Sequence, residues 1–386
     1  MIPYGRQDIS EADIDAVVTV LRSDFLTQGS QVPAFEAAVA AYCGTEFAVA
    51  CNSATSALHI ACLALDLGPG DLLWTVPNTF LATANCARYC GAEVDFVDID
   101  FETRNLSVEC LEAKLRHAKQ AGRLPKIVIP VDFAGQSCDM QAIKALSQTY
   151  GFKVIEDASH AVGGRYQGRP VGCGEWADIT IFSFHPVKIV TTGEGGMALT
   201  KNPELAQRLV QYRSHGIDRH APADVFDSQG QWGYQMMELG WNYRLTDIQA
   251  ALGVSQMTRL DQFVDQRSVL AARYDAQLAA LPLTLPKHES NVASAWHLYV
   301  IGWDESASGL SRAEAFRRLR AAGIGVNVHY IPVYWQPYYR QLGFAPGYCP
   351  NAERYYAGAI SIPMYASLSL EQQDRVIRTL QELCQA

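Results

Sequence analysis

The feature that most constrains the fold is an alternation of short apolar runs with helical patterns between about residues 45 and 200. Seven runs have the length and the β-branched composition of strands, and they are FAVACNS, DLLWTVP, AEVDFVDID, KIVIPVDF, FKVIEDAS, ADITIFSF and GMALTK. Helical patterns such as ATSALHIACLALDL and TFLATANCARYC separate several of them. This alternation predicts a mostly parallel sheet with helices on both faces. In such sheets, ligands bind at the carboxyl ends of the strands.

The pattern changes after about residue 255. LDQFVDQRSVLAARYDAQLAAL predicts a long amphipathic helix, and beyond it WHLYVIGW and IGVNVHY predict strands while SRAEAFRRLRAAG and LEQQDRVIRTLQEL predict helices. Near the other end, EADIDAVVTVLRSD predicts a helix that Ser10 caps. We therefore expect an α/β protein with a large domain over residues 1–255, including the N-terminal helix, and a smaller α+β domain over residues 256–386. The long helix at the boundary can pack against both.

Charge and composition exclude several classes of function. The formal net charge is -9 and no block of Lys and Arg occurs, so we expect no nucleic-acid partner. The sequence has no apolar run of roughly 18 residues, and its N-terminus has no basic stretch followed by an apolar one, so we expect a cytoplasmic protein without a membrane segment. The ten cysteines include no C-x-x-C pair, and we expect reduced thiols and no metal site.

Two charged side chains fall near the ends of predicted strands. Asp157 ends the apolar run in VIEDASHA, where a buried carboxylate requires a cationic partner. Lys188 follows ADITIFSF and precedes the glycine-rich turn TTGEGG. If the two strands are parallel neighbours, both side chains lie at one rim of the sheet. Each residue also has a simpler explanation, since Asp157 can cap the next turn and Lys188 can be a solvated loop lysine rather than a desolvated amine with a lowered pKa.

A third feature is the start of the helix predicted from CNSATSALHIACLALDL. Free N–H groups at a helix start, with the hydroxyls of Thr55 and Ser56, form a site that favours an anion such as phosphate. Simple N-capping by Ser53 or Thr55 explains the same residues. In combination, however, a strand-end Asp, a turn Lys and such a helix start match what pyridoxal 5'-phosphate requires. The lysine binds the aldehyde, the aspartate keeps the pyridine nitrogen protonated, and the helix start binds the phosphate.

Several motifs occur in an order that is typical of one enzyme family. They are NSATSAL, PNTF, EDASHA, FSFHPVK with TTGEGG, RSHG and LGWNYR. Over essentially its whole length, the chain resembles the DegT/DnrJ/EryC1 family of sugar aminotransferases. The resemblance implies a fold-type I architecture, like that of aspartate aminotransferase, and a homodimer with composite active sites. It also implies amino transfer to a keto group on a nucleotide-linked sugar.

The same resemblance implies roles for individual residues. Lys188 resembles the lysine that carries the cofactor and moves protons, and Asp157 resembles the partner of the pyridine nitrogen. Further cofactor contacts are implied for His160 beside the ring oxygen, for Phe80 against the ring, for Thr55, Ser56 and Ser183 at the phosphate, and for Asn242, which one subunit extends to the phosphate site of the other. The alternatives are a structural role for His160 and a buried helix-start position for Phe80.

Within the family, DFLTQG, VDFAGQSCDM and RSHGIDR look most similar to members that act in pseudaminic acid biosynthesis. That similarity implies amino transfer from glutamate to C4 of UDP-2-acetamido-2,6-dideoxy-β-L-arabino-4-hexulose. Substrate contacts are implied for Tyr4, Asp24, Phe25, Leu26, Thr27, Ser53, His329 and Tyr330. The last two belong to the aromatic run VHYIPVYWQPYY, which core packing of the small domain explains equally well.

Three other functions compete with this prediction. The first is amination at C4 of a D-series UDP- or dTDP-4-keto-6-deoxy sugar, which uses similar motifs. The second is a non-catalytic regulator that binds pyridoxal phosphate, which should carry a helix-turn-helix or lack Lys188. The third is a plain nucleotide-binding domain, but the run GEGG precedes a strand instead of opening a helix.

Separately, the segment 217–240, which contains aromatic residues and methionines, is predicted to be either a lid or a dimer contact.

Overall fold

The computed structural model describes residues 1–218, 232–287 and 289–385. Its helices are α1 (Glu11–Leu21), α2 (Gln31–Cys43), α3 (Ala54–Ala64), α4 (Ala82–Tyr89), α5 (Val108–Gln120), α6 (Met140–Tyr150), α7 (Pro203–Arg213), α8 (Asp247–Met257), α9 (Leu260–Leu278), α10 (Glu305–Ser308), α11 (Arg312–Ala321), α12 (Pro337–Arg340), α13 (Pro350–Gly358) and α14 (Leu370–Gln385). Its strands are β1 (Phe47–Cys51), β2 (Leu72–Thr75), β3 (Glu93–Phe96), β4 (Ile127–Ile129), β5 (Lys153–Asp157), β6 (Arg165–Tyr166), β7 (Arg169–Pro170), β8 (Ile179–Ser183), β9 (Gly196–Thr200), β10 (Ile217–Asp218), β11 (Gln235–Met236), β12 (Leu283–Thr284), β13 (Val292–Ala293), β14 (Tyr299–Trp303) and β15 (Ala359–Ile362). Short 3-10 turns occur at Phe133–Gly135 and Val333–Trp335.

The central sheet has seven strands in the order β1-β9-β8-β5-β4-β2-β3. The strand β9 is antiparallel to both of its neighbours, and the remaining pairings are parallel. All seven strands predicted from the sequence are present, and the mostly parallel sheet is confirmed. Because β4, β5 and β8 are parallel neighbours, their carboxyl ends lie at the same edge of the sheet.

Helices bury both faces of this sheet. The strands β4, β8 and β9 consist entirely of buried residues, which explains why their sequences are continuous apolar runs rather than alternating ones. One buried cluster contains Ile155 and Ile181 with residues of α3, α4, α5 and α6. In a second buried cluster, Phe182 and Met197 pack with residues of α2 and α8. The sheet is therefore a rigid layer at the centre of the large region.

A separate cluster forms the core of the C-terminal region, where β14 and β15 pack against α9, α11 and α14. The helix α9 contributes to two cores, since Leu260 and Phe263 lie in a cluster beside the central sheet and Tyr274 and Leu278 lie in the C-terminal one. This arrangement is the bridging role expected of the long helix. Ile2, from the N-terminus, also packs into the C-terminal core. The domain division at residue 255 stays a prediction.

Hydroxyl caps begin two helices, as the sequence predicts. Ser10 and Asp13 form a reciprocal capping box at α1, in which the side chain of each accepts the backbone N–H of the other. Ser53 caps α3 by accepting the N–H of Ser56 at 3.1 Å. Local capping chemistry therefore determines where both helices start.

The prediction of a strand over IGVNVHY is wrong. Its pairing in the structure consists of isolated bridges, from Ile324 to Ile2 and from Asn327 to Ser361. Gly325 allows the N-terminal residues to approach so closely that a Cβ there would lie 2.9 Å from the carbonyl of Ile2. Pairing with the distant N-terminus thus replaces a regular ladder, and an apolar run cannot show this in advance.

Residues 219–231, the middle of the predicted lid or dimer contact, lie outside the described residues. Around them, β10 and β11 pair as a short antiparallel ribbon. The side chains of Trp232, Tyr234 and Met237 are exposed. Both proposed roles of this segment stay predictions. Elsewhere in the described ranges, none of the helices combines the length and the apolarity needed to span a membrane.

Candidate active site

Asp157 and Lys188 lie at the carboxyl ends of two neighbouring strands. The parallel register of β5 and β8 pairs Asp157 with Ile181. Lys188 lies in the turn that follows β8, where its backbone N–H donates to the carbonyl of His185 at 2.8 Å. The carboxylate of Asp157 attracts the ammonium of Lys188. The structure therefore brings the two charged residues to one rim of the sheet.

The carboxylate of Asp157 is buried among hydrogen-bond donors. Thr83 donates its hydroxyl to Oδ2 at 2.7 Å, and Ser159 donates both its hydroxyl at 2.6 Å and its backbone N–H at 3.2 Å to Oδ1. These bonds compensate the burial of the carboxylate and fix its orientation. Capping of the next turn accounts for the contacts with Ser159. It does not account for Thr83, which reaches Asp157 from α4.

The amino group of Lys188 is desolvated, although part of its side chain is exposed. Burial lowers the pKa of Lys188 to about 8, and the negative charge of Asp157 opposes this shift. A lysine with such a pKa can gain and lose a proton near neutral pH, which a solvated loop lysine cannot. Of the two explanations that the sequence leaves open, the structure favours the desolvated amine.

A chain of hydrogen bonds runs through His160. The backbone N–H of Ala134 donates to Nδ1 at 3.3 Å, and Nε2 lies 3.2 Å from the hydroxyl of Tyr330. Burial, and then the positive charge of Lys188, lower the pKa of His160 well below its ordinary value, so the ring is neutral. Because Nδ1 accepts, we assign the ring hydrogen to Nε2, which donates to Tyr330. The hydroxyl proton of Tyr330 is then left to donate to another group.

His329 and Tyr4 lie on the same side of the site as Tyr330. The ring centres of His329 and Tyr4 are 5.6 Å apart, and those of His329 and Tyr330 are 4.8 Å apart. Burial, and then the positive charge of Lys188, lower the pKa of His329 to about 3. A Cβ on Gly5 would lie 3.6 Å from the Cβ of Val187. The N-terminal segment therefore lies against the turn that carries Lys188.

The predicted anion site lies at the start of α3. The cap formed by Ser53 satisfies the N–H of Ser56, and the hydroxyl of Ser56 donates to Oδ1 of Asn52 at 2.6 Å. The N–H groups of the helix start before Ser56 have no acceptor within the helix, because an α-helix leaves its first N–H groups unpaired. Thr55, whose side chain is partly exposed, belongs to this first turn. N-capping and anion binding are therefore compatible here.

A glycine allows the sheet to approach this helix start. The register across β1, β9 and β8 aligns Cys51, Gly196 and Ser183 in one row. A Cβ on Gly196 would lie 2.3 Å from the backbone nitrogen of Ala54, a distance that no side chain tolerates. The buried Ser183 therefore ends its strand beside the first N–H groups of α3.

Phe80 lies before α4, and its side chain is 59% exposed. Its ring centre is 6.5 Å from that of Tyr330. The alternative of a buried helix-start aromatic is therefore wrong, because the side chain points away from the core. An exposed aromatic ring at the edge of the site is available to lie against a bound ring.

Two predicted contacts lie apart from this group. The segment 24–27, which contains Asp24, Phe25, Leu26 and Thr27, is exposed, and the carbonyl of Leu26 accepts the N–H of Asp247 at 3.0 Å. Within the described part of the chain, no backbone hydrogen bond joins this segment to Lys188 or Asp157. Asn242 is also exposed. The carbonyl of its neighbour Tyr243 accepts the N–H of Asn52 at 2.8 Å. Asn242 therefore lies on the surface near the start of α3.

Three further residues support the site without being predicted from the sequence, and they are Thr83, Ser159 and Ala134. Thr83 carries a weak signal, because it follows the motif PNTF on a helix that packs near the strand ends. Ser159 lies inside EDASHA but was not assigned a role. For Ala134 no local signal exists, since it acts through its backbone N–H in a turn where its φ is 60°. A contact of that kind depends on loop geometry alone.

The donor set of this site fits pyridoxal phosphate. It offers a desolvated amine for the aldehyde and a buried carboxylate for the pyridine nitrogen. The start of α3, which β9 approaches closely at Gly196, is suited to the phosphate. These groups lie on separate elements of the chain, which are β5, the turn after β8 and α3.

Comparisons with known sequences agree with this arrangement. A model of the DegT/DnrJ/EryC1/StrS aminotransferase family matches residues 7–381. The spore coat polysaccharide biosynthesis protein SpsC of Bacillus subtilis (strain 168) is 39% identical over 385 residues, which cover 99% of this chain and 97% of that protein. The UDP-4-amino-4,6-dideoxy-N-acetyl-beta-L-altrosamine transaminase of Campylobacter jejuni serotype O:2 is 38% identical over 382 residues, which cover 98% of this chain and 96% of that protein.

Solved structures share the whole fold. Helicobacter pylori PseC, described as an aminotransferase involved in the biosynthesis of pseudoaminic acid, superposes with a TM-score of 0.90 at 31% identity and covers 100% of this chain and 99% of its own. The PLP-form of Spr1654 from Streptococcus pneumoniae superposes with a TM-score of 0.89 at 30% identity and covers 100% of this chain and 98% of its own.

Proposed function

Because this chain belongs to the DegT/DnrJ/EryC1/StrS aminotransferase family, we propose that it transfers an amino group from glutamate to C4 of UDP-2-acetamido-2,6-dideoxy-β-L-arabino-4-hexulose in pseudaminic acid biosynthesis. The membership establishes a fold-type I sugar aminotransferase that depends on pyridoxal phosphate. That assignment does not include the identity of the sugar, the amino donor or the role of each residue. These are our proposals.

Two relatives support this sugar. The Campylobacter jejuni protein is named a transaminase for an L-altrosamine derivative, and PseC is described as an enzyme of pseudoaminic acid biosynthesis. SpsC, of similar identity, is named for spore coat polysaccharide instead. Relatives at this level of identity thus serve more than one end product, and the substrate requires a direct test.

The observation that carries the proposed chemistry is the desolvated amine of Lys188 beside Asp157. When bound, pyridoxal phosphate supplies an electron-accepting ring that stabilises negative charge on the carbon next to the transferred nitrogen. Lys188 takes the proton from the α-carbon of glutamate, and in the second half-reaction it returns a proton to C4 of the sugar. An amine with a pKa near 8 can perform both steps near neutral pH.

The other residues of the site hold the cofactor in place. Asp157, fixed by Thr83 and Ser159, is the partner of the pyridine nitrogen. The start of α3 with Thr55, Ser56 and Ser183 holds the phosphate. In the bound enzyme, His160 would lie beside the ring oxygen and Phe80 would cover the ring. Neutral His160 donates to Tyr330 and so adds no second positive charge next to Lys188.

The sugar nucleotide occupies the side that the N-terminal and C-terminal regions line. Tyr4, His329 and Tyr330 form its wall there, because their rings cluster beside the turn of Lys188. Ser53 and the segment 24–27 contribute further contacts. Aromatic faces and neutral polar groups suit a sugar ring, which needs both stacking and hydrogen bonds.

The active enzyme is a homodimer in which Asn242 of each chain completes the phosphate site of the other. The exposure of Asn242 leaves its side chain accessible to a second chain, which supports this role. Exposed Trp232, Tyr234 and Met237 on the neighbouring segment suit an interface between two chains. A cytoplasmic location stays a prediction.

A single-turnover experiment tests the substrate. The purified enzyme is first converted with glutamate to the form in which the cofactor carries the amino group. It is then mixed with the UDP-linked L-arabino 4-hexulose, with its D-xylo epimer, or with a dTDP-4-keto-6-deoxy sugar, while the absorbance of the aminated cofactor is followed. The Lys188→Ala variant is the control for absorbance changes that do not come from amino transfer.

Rapid loss of that absorbance with the L-arabino sugar alone is the expected result. A response to the D-xylo or the dTDP sugar alone would replace the proposed substrate with a D-series one and keep the aminotransferase. If glutamate fails to aminate a cofactor that is bound and reducible onto Lys188, glutamate is the wrong donor or the chain is a non-catalytic binder. A panel of other amino acids separates these two outcomes.

A further inference from the structure

Two carboxyl groups that the proposed chemistry does not use are buried next to Asp157. Asp132 follows β4 and is 0% exposed, and Glu156 precedes Asp157 in β5 and is 4% exposed. Successive residues of a strand point to opposite faces, so Glu156 and Asp157 lie on opposite sides of the sheet. Buried carboxyl groups need partners, and the partners of this pair are incomplete.

One buried carboxyl oxygen of the pair lacks a hydrogen-bond donor. Oδ1 of Asp132 accepts the N–H of Cys138 at 2.9 Å, and Oε2 of Glu156 accepts the hydroxyl of Thr180 at 2.8 Å. Oδ2 of Asp132 has no conventional donor in the part of the chain that the structure describes. The carboxyl groups of Asp132 and Glu156 lie close enough for each to shift the pKa of the other. Two ionised carboxylates repel and cannot hydrogen-bond each other, because neither has a hydrogen to donate, whereas a proton on one of them supplies that donor.

The electrostatic surroundings favour a proton on this pair. Burial raises the pKa of Glu156 to about 7, and hydrogen bonds from Thr180 and Asp132 oppose the shift. Burial, and then the negative charge of Glu156, raise the pKa of Asp132 well above its ordinary value. The titratable groups that act on the pair from the surrounding elements are Asp157, Cys138, Cys43 and Cys173. All of these are acids, and none supplies a compensating positive charge.

The segment 130–138, which contains Asp132, connects this pair to the active site. The N–H of Asp132 donates to the carbonyl of Asp157 at 3.1 Å, and the N–H of Asp157 donates to the carbonyl of Pro130 at 2.9 Å. Two residues after Asp132, the N–H of Ala134 donates to His160. The position of Asp132 therefore determines where the donor to His160 lies.

The same segment has little room to move. Gly135 has a φ of 105°, and a Cβ there would lie 2.7 Å from the backbone nitrogen of Trp296 and 3.0 Å from the carbonyl oxygen of His160. Its own carbonyl accepts the N–H of Ala295 at 3.0 Å. A small displacement at Asp132 would therefore disturb both the turn of His160 and the segment that contains Ala295 and Trp296.

We propose that Asp132 and Glu156 share one proton at neutral pH, and that this acid pair is a positioning element that fixes the segment 130–138 on β5 and so holds the N–H of Ala134 on His160. The shared proton follows from the burial of both carboxyl groups and from the unpaired Oδ2 of Asp132, and it requires no assumption about the reaction. The effect on catalysis rests in addition on the proposed role of His160.

Infrared spectroscopy of the cofactor-free protein tests the shared proton without any reference to activity. At pH 8 the wild type should show the C=O stretch of a protonated carboxylic acid, shifted in deuterium oxide. Glu156→Gln and Asp132→Asn should each remove this band, whereas Glu314→Gln, on an exposed ion pair, should leave it unchanged. A spectrum without the band at pH 8, or a band that persists in both variants, would overturn the proposal.

Stability as a function of pH gives an independent test. A carboxyl whose pKa is raised in the folded state stabilises the fold below the unfolded pKa and loses this contribution as the pH rises through the folded pKa, here between about 4.5 and about 7. Glu156→Gln cannot lose a proton, so the Tm of the variant should rise relative to that of the wild type over this window. A constant difference in Tm between pH 5 and pH 8 would contradict the raised pKa.

Conservative rescue tests the positioning role. In Glu156→Gln the amide donates to Asp132 and accepts from Thr180, whereas Glu156→Leu removes both contacts. The pH at which the visible absorbance of the cofactor-loaded enzyme changes should match the wild type in the Gln variant and shift in the Leu variant, with kcat/KM about 10-fold lower in the latter. If the Leu variant does not fold, Thr180→Val, which removes one bond and no charge, takes its place. Equal behaviour of the conservative and disruptive variants would refute the positioning role, even if the infrared band is present.

Discussion

Nε2 of His160 lies 3.2 Å from the hydroxyl of Tyr330, and this contact joins the rim of the central sheet to the C-terminal region. His160 is oriented from its other side by the N–H of Ala134. The neutral imidazole therefore links the loop that contains Ala134 to the phenol of Tyr330 in the C-terminal region. The site is complete only when both regions are packed together.

Tyr330→Phe should lower kcat/KM about 10-fold, because it removes the hydroxyl that accepts from His160 and can donate to the substrate. The ring packing stays, so Tm should change little. Steady-state kinetics and thermal unfolding measure both effects. Tyr338→Phe, which removes a hydroxyl bonded to Arg88 on the surface, is the matched control. Equal kinetics of the two variants would place Tyr330 outside the reaction.

Capture of pyridoxal phosphate by the cofactor-free protein should accelerate with pH through about 8, because the neutral amine of Lys188 is the reactive form and burial lowers its pKa to about that value. Asp157 opposes this lowering, so Asp157→Asn should move the midpoint to lower pH. Stopped-flow absorbance at a series of pH values gives both midpoints. A midpoint near 10, the ordinary range of a solvated lysine, would mean that the amine is not desolvated in solution.

Thr83→Val should weaken pyridoxal phosphate binding by about 5- to 100-fold, since the loss of a donor to a buried carboxylate costs about 1–3 kcal/mol. The isosteric change keeps the packing of α4. Absorbance titration with the cofactor measures Kd. Thr149→Val removes an exposed hydroxyl bond to a helix carbonyl and should leave Kd unchanged. An unchanged Kd in Thr83→Val would show that Asp157 does not depend on α4.

Gly196→Ala should destabilise the protein by about 1–3 kcal/mol or more, because the new Cβ would lie 2.3 Å from the nitrogen of Ala54 and force β9 away from α3. Cofactor affinity should fall with it, since the proposed phosphate site lies at the same helix start. Urea unfolding and cofactor titration report the two effects. Gly68→Ala, where no atom lies within 4 Å of the added Cβ, should behave as the wild type. A stable Gly196→Ala variant that binds cofactor normally would disprove the close approach.

Mixing two inactive variants tests the composite site. Lys188→Ala and Asn242→Ala proteins should each be impaired alone, but a dimer of one with the other contains one site with neither change. After unfolding and refolding of an equimolar mixture, about a quarter of the sites should be intact. Recovery of activity, with sedimentation to establish the dimer, supports Asn242 acting between chains. If the mixture has only the summed activity of the two variants, Asn242 acts within its own chain.

Local patterns predicted most of the fold. The seven strands of the central sheet, the caps of α1 and α3 and the bridging helix α9 follow from apolar periodicity and from the hydrogen-bonding chemistry of Ser10 and Ser53. The strand expected over IGVNVHY failed because its pairing partner is Ile2, at the other end of the chain. Periodicity reports how a segment buries its own side chains, and it contains no information on which distant backbone will pair with it.

For the site, the sequence by itself determined that Asp157 and Lys188 are the candidates for the chemistry, since both occur in motifs at strand ends and the parallel order of the strands brings strand ends together. The tertiary structure alone decided how they are supported. Thr83 on Asp157, the N–H of Ala134 on His160 and the electrostatic coupling of Glu156 with Asp132 each join residues from different elements. Such contacts and the resulting pKa shifts depend on burial and on distances between packed elements, which arise only when the chain is folded.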